Sequence, residues 1–291
     1  MVTIQNDLLT LSVKERGAEM MHLQYKGKEY LWQGDPKYWD ERSPILFPFV
    51  GRLIEKRYRL NGKEYPLGLH GFAAGLDFTV TERTDDLLTM TLQNSPETEA
   101  QYPFAFTFSV TFRLMGNTLE TTYTVENKSD AVMPFGLGGH PGFQVPLNEG
   151  EAFDDYYLEF SHSCQPDRVG LTPAVFLSGH DVLYPLEKGT VLPLRHDLFN
   201  DDAIVLKNMA REVTLRSKKS GDRVTVSYPQ MPYIGFWHRP ETDAPYVCIE
   251  PWTSLPGRQD VIEDLGCKSD LVLLPPGKVY QNTWRITITQ E

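Results

Sequence analysis

The sequence predicts an all-β protein built from antiparallel sheet, and two observations carry that prediction. Apolar residues alternate with polar ones along 106–114 and again along 119–125, with Gly116-Asn117 between the two runs. A period of two over both arms is typical of paired antiparallel strands with one buried face. Elsewhere short β-type runs are divided by turn residues, and no helix-period segment exceeds about three turns. Many short strands with frequent turns indicate a β-sandwich or barrel.

The remaining elements follow in chain order from the same patterns. Pro36 after Asp35 indicates a single helical turn with Asp35 as its cap. Two prolines within residues 43–52 argue against a central strand there. Asn61-Gly62 predicts a type I′ hairpin, because both residue types tolerate a positive φ. Further strands are expected at 8–13, 18–25, 29–32, 78–82, 87–93, 156–162, 203–206, 213–216, 224–228, 233–238, 246–252 and 284–288.

Length and charge limit the classes of protein to which the chain can belong. No break in composition marks a boundary, so we expect one domain over residues 1–291. The formal net charge of −11 argues against binding to nucleic acid or to an anionic membrane. No basic, apolar leader precedes the first strand, and no run approaches the roughly 20 apolar residues that span a bilayer. We therefore expect a cytoplasmic protein.

The three cysteines do not indicate a metal site or a disulfide framework. Cys164, Cys248 and Cys267 are far apart, odd in number and without CxxC spacing. Reduced, structural thiols are the simplest interpretation.

The segment Phe135–Phe143 places four glycines around one histidine, directly after the second alternating strand. Glycine permits a positive φ and a close approach of ligand to backbone, and Pro141 fixes φ just after His140. Imidazole has an ordinary pKa near neutrality, which makes His140 a candidate proton donor or acceptor. A tight corner with a partly buried, hydrogen-bonded histidine explains the same pattern.

Arg52 and His70 close two further unusual segments. Arg52 ends the apolar, proline-stiffened run 43–52, which is typical of a rigid pocket wall carrying one cation. An ordinary ion pair is the alternative for Arg52. His70 lies between Leu69 and Gly71, just after the Asn-Gly hairpin. A metal bound by His70, His140 and His238 is a weaker alternative, since no HxxxH or HxH spacing exists.

Glu250 is the exception within an apolar strand. The apolar run 246–249 precedes it, and Pro251 and Trp252 are expected to end the strand directly after it. Carboxylates rarely lie in such runs unless they are paired or functional. Burial raises the pKa of a glutamate from about 4.3 towards the range useful to a general base. A buried ion pair with Arg52 is the alternative.

Other motifs are absent or incomplete. There is no P-loop and no GxSxG elbow, and the GxGxxG-like run 136–141 ends in proline after a hairpin. Aromatic rings near turns can offer a flat face to a sugar ring or can belong to the core. The candidates for such a face are Trp237, Trp252, Phe143 and Phe72.

Taken together, four motifs resemble the aldose 1-epimerase (galactose mutarotase-like) family. They are Arg52 after an apolar Pro-Phe run, His70 in Leu-His-Gly-Phe, His140 in Gly-Gly-His-Pro-Gly-Phe and Glu250 in Cys-Ile-Glu-Pro-Trp. Their order and spacing match over nearly the whole chain, and the residues within each motif are similar to those of the LacX-like branch. The resemblance implies a large antiparallel β-supersandwich with an open sugar-binding cleft and no cofactor or metal.

The resemblance also implies a mechanism. Glu250 matches the general base that takes the proton from the anomeric hydroxyl. His140 matches the general acid that protonates the ring oxygen, so that the ring opens, rotates about C1–C2 and recloses. With ordinary pKa values, Glu250 sets the acid limb of a bell-shaped rate profile and His140 the alkaline limb.

Sugar-contacting residues are assigned by the same resemblance. Arg52 and His70 match such contacts, and the family places an aspartate before an apolar strand, here Asp202 in preference to Asp201. With the ring of Trp237, the expected substrate-binding set is Arg52, His70, Asp202 and Trp237. The histidine motifs differ from those of typical galactose mutarotases, so the sugar itself stays open.

Two other functions remain open at this point. A non-catalytic carbohydrate-binding or regulatory protein would use the same cleft, although binding alone needs no acid opposite a base. A glycoside hydrolase would need two carboxylates across the scissile bond, here Asp202 and Glu250. The expected partner is a small neutral sugar, because the chain is acidic and no glycine-rich turn opens a helix to hold phosphate. A hexose 6-phosphate is the alternative.

Overall fold

The computed structural model describes residues 1–290, and β-strands dominate it. One α-helix, α1 Pro96–Gln101, and four 3₁₀ helices (Ile54–Lys56, Ala73–Gly75, Phe153–Asp155 and His196–Phe199) are present in that range. The strands, numbered in chain order, are β1 Val2–Gln5, β2 Leu9–Val13, β3 Met20–Tyr25, β4 Lys28–Glu29, β5 Ile45–Leu46, β6 Arg57–Leu60, β7 Lys63–Pro66, β8 Thr79–Arg83, β9 Leu87–Gln93, β10 Phe106–Met115, β11 Thr118–Asn127, β12 Met133–Phe135, β13 Gly138–Gly139, β14 Gly142–Gln144, β15 Tyr156–Phe160, β16 Asp167–Arg168, β17 Val182–Leu183, β18 Val191–Pro193, β19 Ile204–Lys207, β20 Glu212–Ser217, β21 Arg223–Ser227, β22 Tyr233–Trp237, β23 Tyr246–Trp252, β24 Val272–Leu274 and β25 Val279–Thr289.

Two large sheets organise these strands. One has nine strands in the order β18-β15-β20-β21-β25-β11-β10-β9-β8. The other has eight, in the order β17-β16-β19-β22-β23-β13-β5, with β14 also paired to β23. Smaller sheets are formed by β1 to β4, by β12 with β24 and by β6 with β7. Every pairing between these strands is antiparallel, so the predicted all-β antiparallel class is confirmed.

The alternating runs form the long central hairpin of the nine-stranded sheet. β10 and β11 pair over their whole length, from Phe106 opposite Asn127 to Met115 opposite Thr118. Buried residues recur at every second position on both strands. The buried rings of this hairpin join one large apolar cluster with residues of β22 and β23, including Ile234. The main core therefore lies between the two large sheets.

The eight-stranded sheet is apolar on both faces. Val247 and Ile249 of β23 belong to the main core, whereas Cys248 and Trp252 belong to smaller clusters on the opposite face. Successive side chains of a strand point to opposite faces, so this division follows the pleat. It explains why β23 is buried at every position and reads as a continuous apolar run.

Local predictions had mixed outcomes. The Asn61-Gly62 hairpin is confirmed, with φ of 52° and 77° at its two central residues. Asp35 accepts from the backbone N–H of Lys37, as expected of a cap, but the segment is a turn rather than a helix. No helix within residues 1–290 is long and apolar enough to cross a membrane.

β23 ends at Trp252, as predicted, with Pro251 as its penultimate residue. Ile249 donates its N–H to Pro141, and the N atom two residues further along points to the same side of the strand. On that side Thr253 also donates, to Leu137, and the register places Pro251 opposite Gly139 of β13. The missing N–H of Pro251 therefore removes one bond between two that are made, next to the break between β13 and β14.

Candidate active site

The face of the eight-stranded sheet that points away from the main core forms the floor of a cavity of about 650 Å³. Glu250 and Trp252 lie two residues apart on β23, and Val205 reaches the same face from β19, opposite Gly235. The structure brings all six sequence-predicted site residues to this one cavity: Arg52, His70, His140, Asp202, Trp237 and Glu250.

Strand register places His140 opposite Glu250. Gly138 of β13 pairs with Trp252, and Gly142 of β14 pairs with Cys248. The two short strands thus keep one register on β23 across the break between them, and residue 140 falls opposite residue 250. The backbone N–H of His140 donates to the carbonyl of Pro44 at 3.1 Å, which holds the break against the edge segment.

The imidazole and the carboxyl group are close and incompletely satisfied. Nε2 of His140 lies 3.2 Å from Oε2 of Glu250, and their side chains are 12% and 2% exposed. Oε2 of Glu250 and Nδ1 of His140 are nonetheless buried without a well-aligned hydrogen bond. Buried polar atoms without partners are rare in native proteins, and a catalytic role is one of the recognised reasons for them.

Burial shifts the two groups in opposite directions. It raises the pKa of Glu250 well above its ordinary value, and the negative charge of Asp202 raises that pKa further. Burial, together with the neighbouring His70, lowers the pKa of His140 to about 3. The two shifts together favour a shared proton on the carboxyl group of Glu250 over one on the imidazole of His140.

The glycines around His140 serve close packing rather than an unusual backbone. None of the four has a positive φ, contrary to one reason given for them from the sequence. A Cβ on Gly138 would lie 2.7 Å from the ring of Trp252, and one on Gly139 would lie 2.9 Å from the ring of Trp284. Larger side chains are excluded because indole rings lie against both faces of β13.

His70 is fixed in one tautomer. Its Nδ1 accepts the backbone N–H of Gly51 at 3.0 Å, so the neutral ring carries its proton on Nε2. Burial and the charge of Arg52 lower the pKa of His70 to about 4. The ring stands edge to face with that of His140, at 5.7 Å between centroids. His70 is therefore a neutral hydrogen-bond donor beside the reacting pair.

The charged residues are not arranged as a simple ion pair. Arg52 lines the cavity without an ion pair to Glu250, whose near neighbour is the imidazole of His140. Asp202 lines the cavity and acts on the pKa of Glu250, whereas Asp201 lines an adjoining pocket.

Aromatic rings form one wall. Trp237 packs edge-on to His140 at 5.7 Å between centroids, and Trp252 also lines the cavity. Phe72 and Phe143, suggested as alternatives, belong to the main core. Trp39 was missed: its ring lies 4.9 Å from that of His140, although the sequence placed it only in a turn.

Unusual backbone conformations gather around the cavity. Within residues 1–290, twelve non-glycine residues have a positive φ, and four of them line this site: His70, Val175, Asp202 and Glu241. Val175 is the least expected, because a β-branched side chain strongly disfavours the left-handed region. Backbone strain concentrates at functional sites, where surrounding structure enforces it. Nothing in the sequence around Val175 signals this.

The histidine trio suggested as a metal site does not form. His238 is buried against Phe153 and Phe199, with its Nε2 3.1 Å from Nδ1 of His196. Among residues 1–290, the potential ligand cluster is instead His140, Cys248 and Glu250, with ligand atoms within 4.8 Å of one another. Burial raises the pKa of the Cys248 thiol well above its ordinary value. A thiol held in its protonated form is a poor metal ligand.

Comparison with known proteins agrees with the fold and with the family resemblance. A sequence model of the family described as aldose 1-epimerase matches residues 1–287. The chromosomal protein LacX of Lactococcus lactis subsp. lactis is 33% identical over 297 residues, covering 99% of each chain. A galactose mutarotase related enzyme from Lactobacillus acidophilus has a TM-score of 0.94 and 37% identity, covering 99% of this chain and 97% of that one. A galactose mutarotase-like protein from Lactobacillus casei has a TM-score of 0.93 and 34% identity, covering 99% and 100%. The predicted resemblance and β-sandwich fold are confirmed, and the chain belongs to the aldose 1-epimerase family.

Proposed function

We propose that this protein is a mutarotase, which interconverts the α and β anomers of a hexose by opening and reclosing its ring. The observation that carries the proposal is the His140–Glu250 pair, 3.2 Å apart on the floor of a cavity large enough for a sugar. An acid and a base on one side of a bound ring are what ring opening requires, and the family supplies the same class of reaction.

In the proposed step, Glu250 accepts the proton of the anomeric hydroxyl while His140 donates a proton to the ring oxygen. The C1–O5 bond breaks, and C1 becomes a carbonyl carbon. Rotation about C1–C2 presents the other face of the carbonyl, and the two proton transfers then reverse. Opening leaves the carboxyl group protonated and the imidazole neutral, and closure restores carboxylate and imidazolium, so the cycle balances without a cofactor or metal.

The pKa shifts determine how many protons His140 and Glu250 hold between them. The reacting form, carboxylate with imidazolium, has the same single proton as the empty form, carboxyl with neutral imidazole. A short transfer between Oε2 and Nε2 interconverts the two, and a bound hydroxyl that hydrogen-bonds to the carboxylate favours the reacting form. The second proton joins the pair only in acid, where the pKa of His140 has been lowered to about 3.

The shifted pKa values exchange the two limbs of the rate profile between His140 and Glu250, compared with the prediction made from ordinary pKa values. The acid limb of the rate profile follows from protonation of His140, and the alkaline limb follows from loss of the proton that Glu250 holds with its raised pKa. Because the two groups interact, both limbs belong to the pair.

The other lining residues would hold the sugar. Arg52 and the Nε2–H of His70 offer donors, and Asp202 offers acceptor oxygens. The indole of Trp237 offers an apolar face beside His140. A few placed polar groups with aromatic walls are typical of a small-molecule site.

The test is anomeric exchange measured by NMR on glucose and galactose with Glu250→Gln and His140→Asn. Each substitution is expected to lower exchange by about 10²–10⁴-fold, the usual contribution of one general acid or base. Because both groups act in one ring-opening event, the double variant should lose much less than the product of the single losses.

Matched controls are available on the surface. Glu149 and His162 are exposed residues outside the cavity, so Glu149→Gln and His162→Asn should exchange at the wild-type rate. Wild-type exchange in a well-folded Glu250→Gln variant would exclude the proposed mechanism.

A further inference from the structure

Hydrogen bonds do not fix the orientation of the His140 ring. Within residues 1–290, its Nδ1 is buried without a partner, and its Nε2 lies 3.2 Å from Glu250 without a well-aligned bond. A histidine that transfers protons is ordinarily oriented by a hydrogen bond to its second ring nitrogen. His140 has no such bond, so packing must hold the plane of its ring.

Within the part of the chain that the structure describes, three aromatic rings contact the imidazole of His140. His70 and Trp237 stand edge to face with it, at interplanar angles of 89° and 81°. Trp39 is nearer, at 4.9 Å between ring centroids, and its plane is tilted by only 36° from that of the imidazole. Among these three rings, Trp39 is the one that lies along the imidazole plane.

Trp39 is held from several sides, although it lies outside any strand. Its carbonyl accepts the indole N–H of Trp32 at 2.8 Å, and its own indole N–H donates to Glu41 at 3.2 Å. Tyr246 of β23 stacks on it at 5.7 Å between ring centroids. The indole is thereby tied both to its own segment and to the strand that carries Glu250. A ring anchored in this way is a fixed surface for the imidazole.

The glycine that follows His140-Pro141 makes room for this indole. A Cβ on Gly142 would lie 3.1 Å from the six-membered ring of Trp39, which is a tighter contact than ordinary packing allows. The φ of Gly142 is not positive, so its backbone is one that other residues adopt. What the structure uses at this position is the missing side chain, and the motif around His140 is therefore fitted to Trp39.

Contact with the plane of the ring matters because His140 becomes a cation in the proposed step. The reacting form pairs imidazolium with carboxylate. A cation is attracted to the electron-rich face of an indole, most strongly where water is excluded. The side chain of His140 is only 12% exposed, so its contact with Trp39 is largely shielded from water.

From these observations we propose that Trp39 is a positioning residue, which holds the plane of the His140 ring and stabilises its imidazolium form through the face of the indole. The inference rests on the proposed function, because Trp39 acts through the proton that His140 donates. Trp237 stands edge-on to the same imidazole and offers its own face to the sugar. The two indoles therefore act on different partners, Trp39 on the proton donor and Trp237 on the substrate.

The experiment measures kcat and KM for anomeric exchange of glucose and galactose in Trp39→Leu and Trp39→Phe. Trp39→Leu should lower kcat by about 10-fold to 100-fold, because the orientation of the acid and its cation–π contact are both lost. Trp39→Phe retains an aromatic face and should recover part of that loss. KM should change little in either variant, and a raised KM at unchanged kcat would make Trp39 a sugar contact and overturn the proposal.

A double-mutant cycle with His140→Asn separates positioning from a general effect on the fold. Because Trp39 acts through the imidazole, Trp39→Leu should cause no further loss in a protein that already lacks the imidazole. A loss as large as the one in wild type would overturn the proposal. If Trp39→Leu does not fold, fluorinated tryptophan at position 39 keeps the shape of the side chain and weakens its ring face. It should lower kcat by about 2-fold or more, and an unchanged kcat would overturn the proposal.

Tyr38→Leu is the matched control, because the ring of Tyr38 belongs to the same segment but packs on Trp32 and lies outside the cavity lining. It should exchange sugars at the wild-type rate. Trp237→Leu should show the opposite division, with a raised KM and a smaller fall in kcat. A failed cycle with a strong effect of His140→Asn would overturn only the role of Trp39. Full exchange in His140→Asn alone would instead refute the proposed function, and the role of Trp39 with it.

Discussion

Replacing His140 with glutamine should make the protein less sensitive to acid, and the size of the effect follows from the lowered pKa of that histidine. An unfolded histidine titrates near 6.5, whereas burial beside His70 lowers the pKa of His140 to about 3 in the folded protein. Below pH 6.5 the unfolded chain therefore binds a proton that the folded chain does not. The neutral ring's contribution to stability is complete above that pH and is lost as pH falls towards 3.

The magnitude comes from the linkage relation. Each bound proton changes the free energy of unfolding by about 1.4 kcal/mol per pH unit. Between about pH 7.5 and about pH 5.0, wild type should lose about 2 kcal/mol through His140, and His140→Gln should not. Urea unfolding followed by tryptophan fluorescence at the two pH values measures this as a change in the stability difference between the proteins.

The same experiment reports which partner holds the shared proton. If the empty cleft contained imidazolium and carboxylate, the pKa of His140 would be raised on folding, and wild type would gain on the variant as pH falls. A stability difference that moves in that direction would refute the assignment of the proton to Glu250. His162→Gln, which removes an exposed histidine, is the control for loss of the residue type alone.

Two further predictions concern rates. The pH profile of kcat/KM for anomeric exchange should be flat across neutral pH. Asp202→Asn should move the alkaline limb of that profile to lower pH, because the charge of Asp202 helps to raise the pKa of Glu250. An alkaline limb that does not move would show that a group other than Glu250 sets it. Arg52→Lys should raise KM for a hexose more than it lowers kcat, because the substitution removes mainly ground-state binding. Steady-state exchange rates over a range of sugar concentrations measure both constants. An equal fall in kcat and kcat/KM would show instead that Arg52 stabilises the transition state.

The strands could be predicted from the sequence because the pleat imposes a period of two on residues with one buried face. The rule identifies the buried face of β10 and β11. It cannot identify one for β23, because both faces of that strand are buried. The sequence also cannot show which residue faces Pro251, and so could not say whether its missing N–H removes a ladder bond.

The candidate site could be predicted in part because short sequence motifs mark some of its residues. The motifs around His140 and Glu250 identified residues that the structure does bring together, but their pKa shifts arise from contacts between distant parts of the chain. His70 and Asp202 exert these effects across 70 and 48 positions of sequence, respectively. Trp39 and Val175 carried no motif at all, and only the folded cleft shows that they line it.

Because β13 and β14 keep one register on β23, the residues of the cavity fall into two groups: those held by paired strands and those on loops. The proposed acid–base pair is held by paired strands in the middle of a sheet, with Glu250 in β23 and His140 in the short break between β13 and β14, both of which pair with β23. Much of the rest of the cavity wall comes from connections outside the strands, such as the loop 171–177 and the turn at Glu241. Sugar preference can therefore diverge by loop substitution while the chemistry is inherited unchanged. Libraries confined to those loops offer a direct route to mutarotases with new substrates.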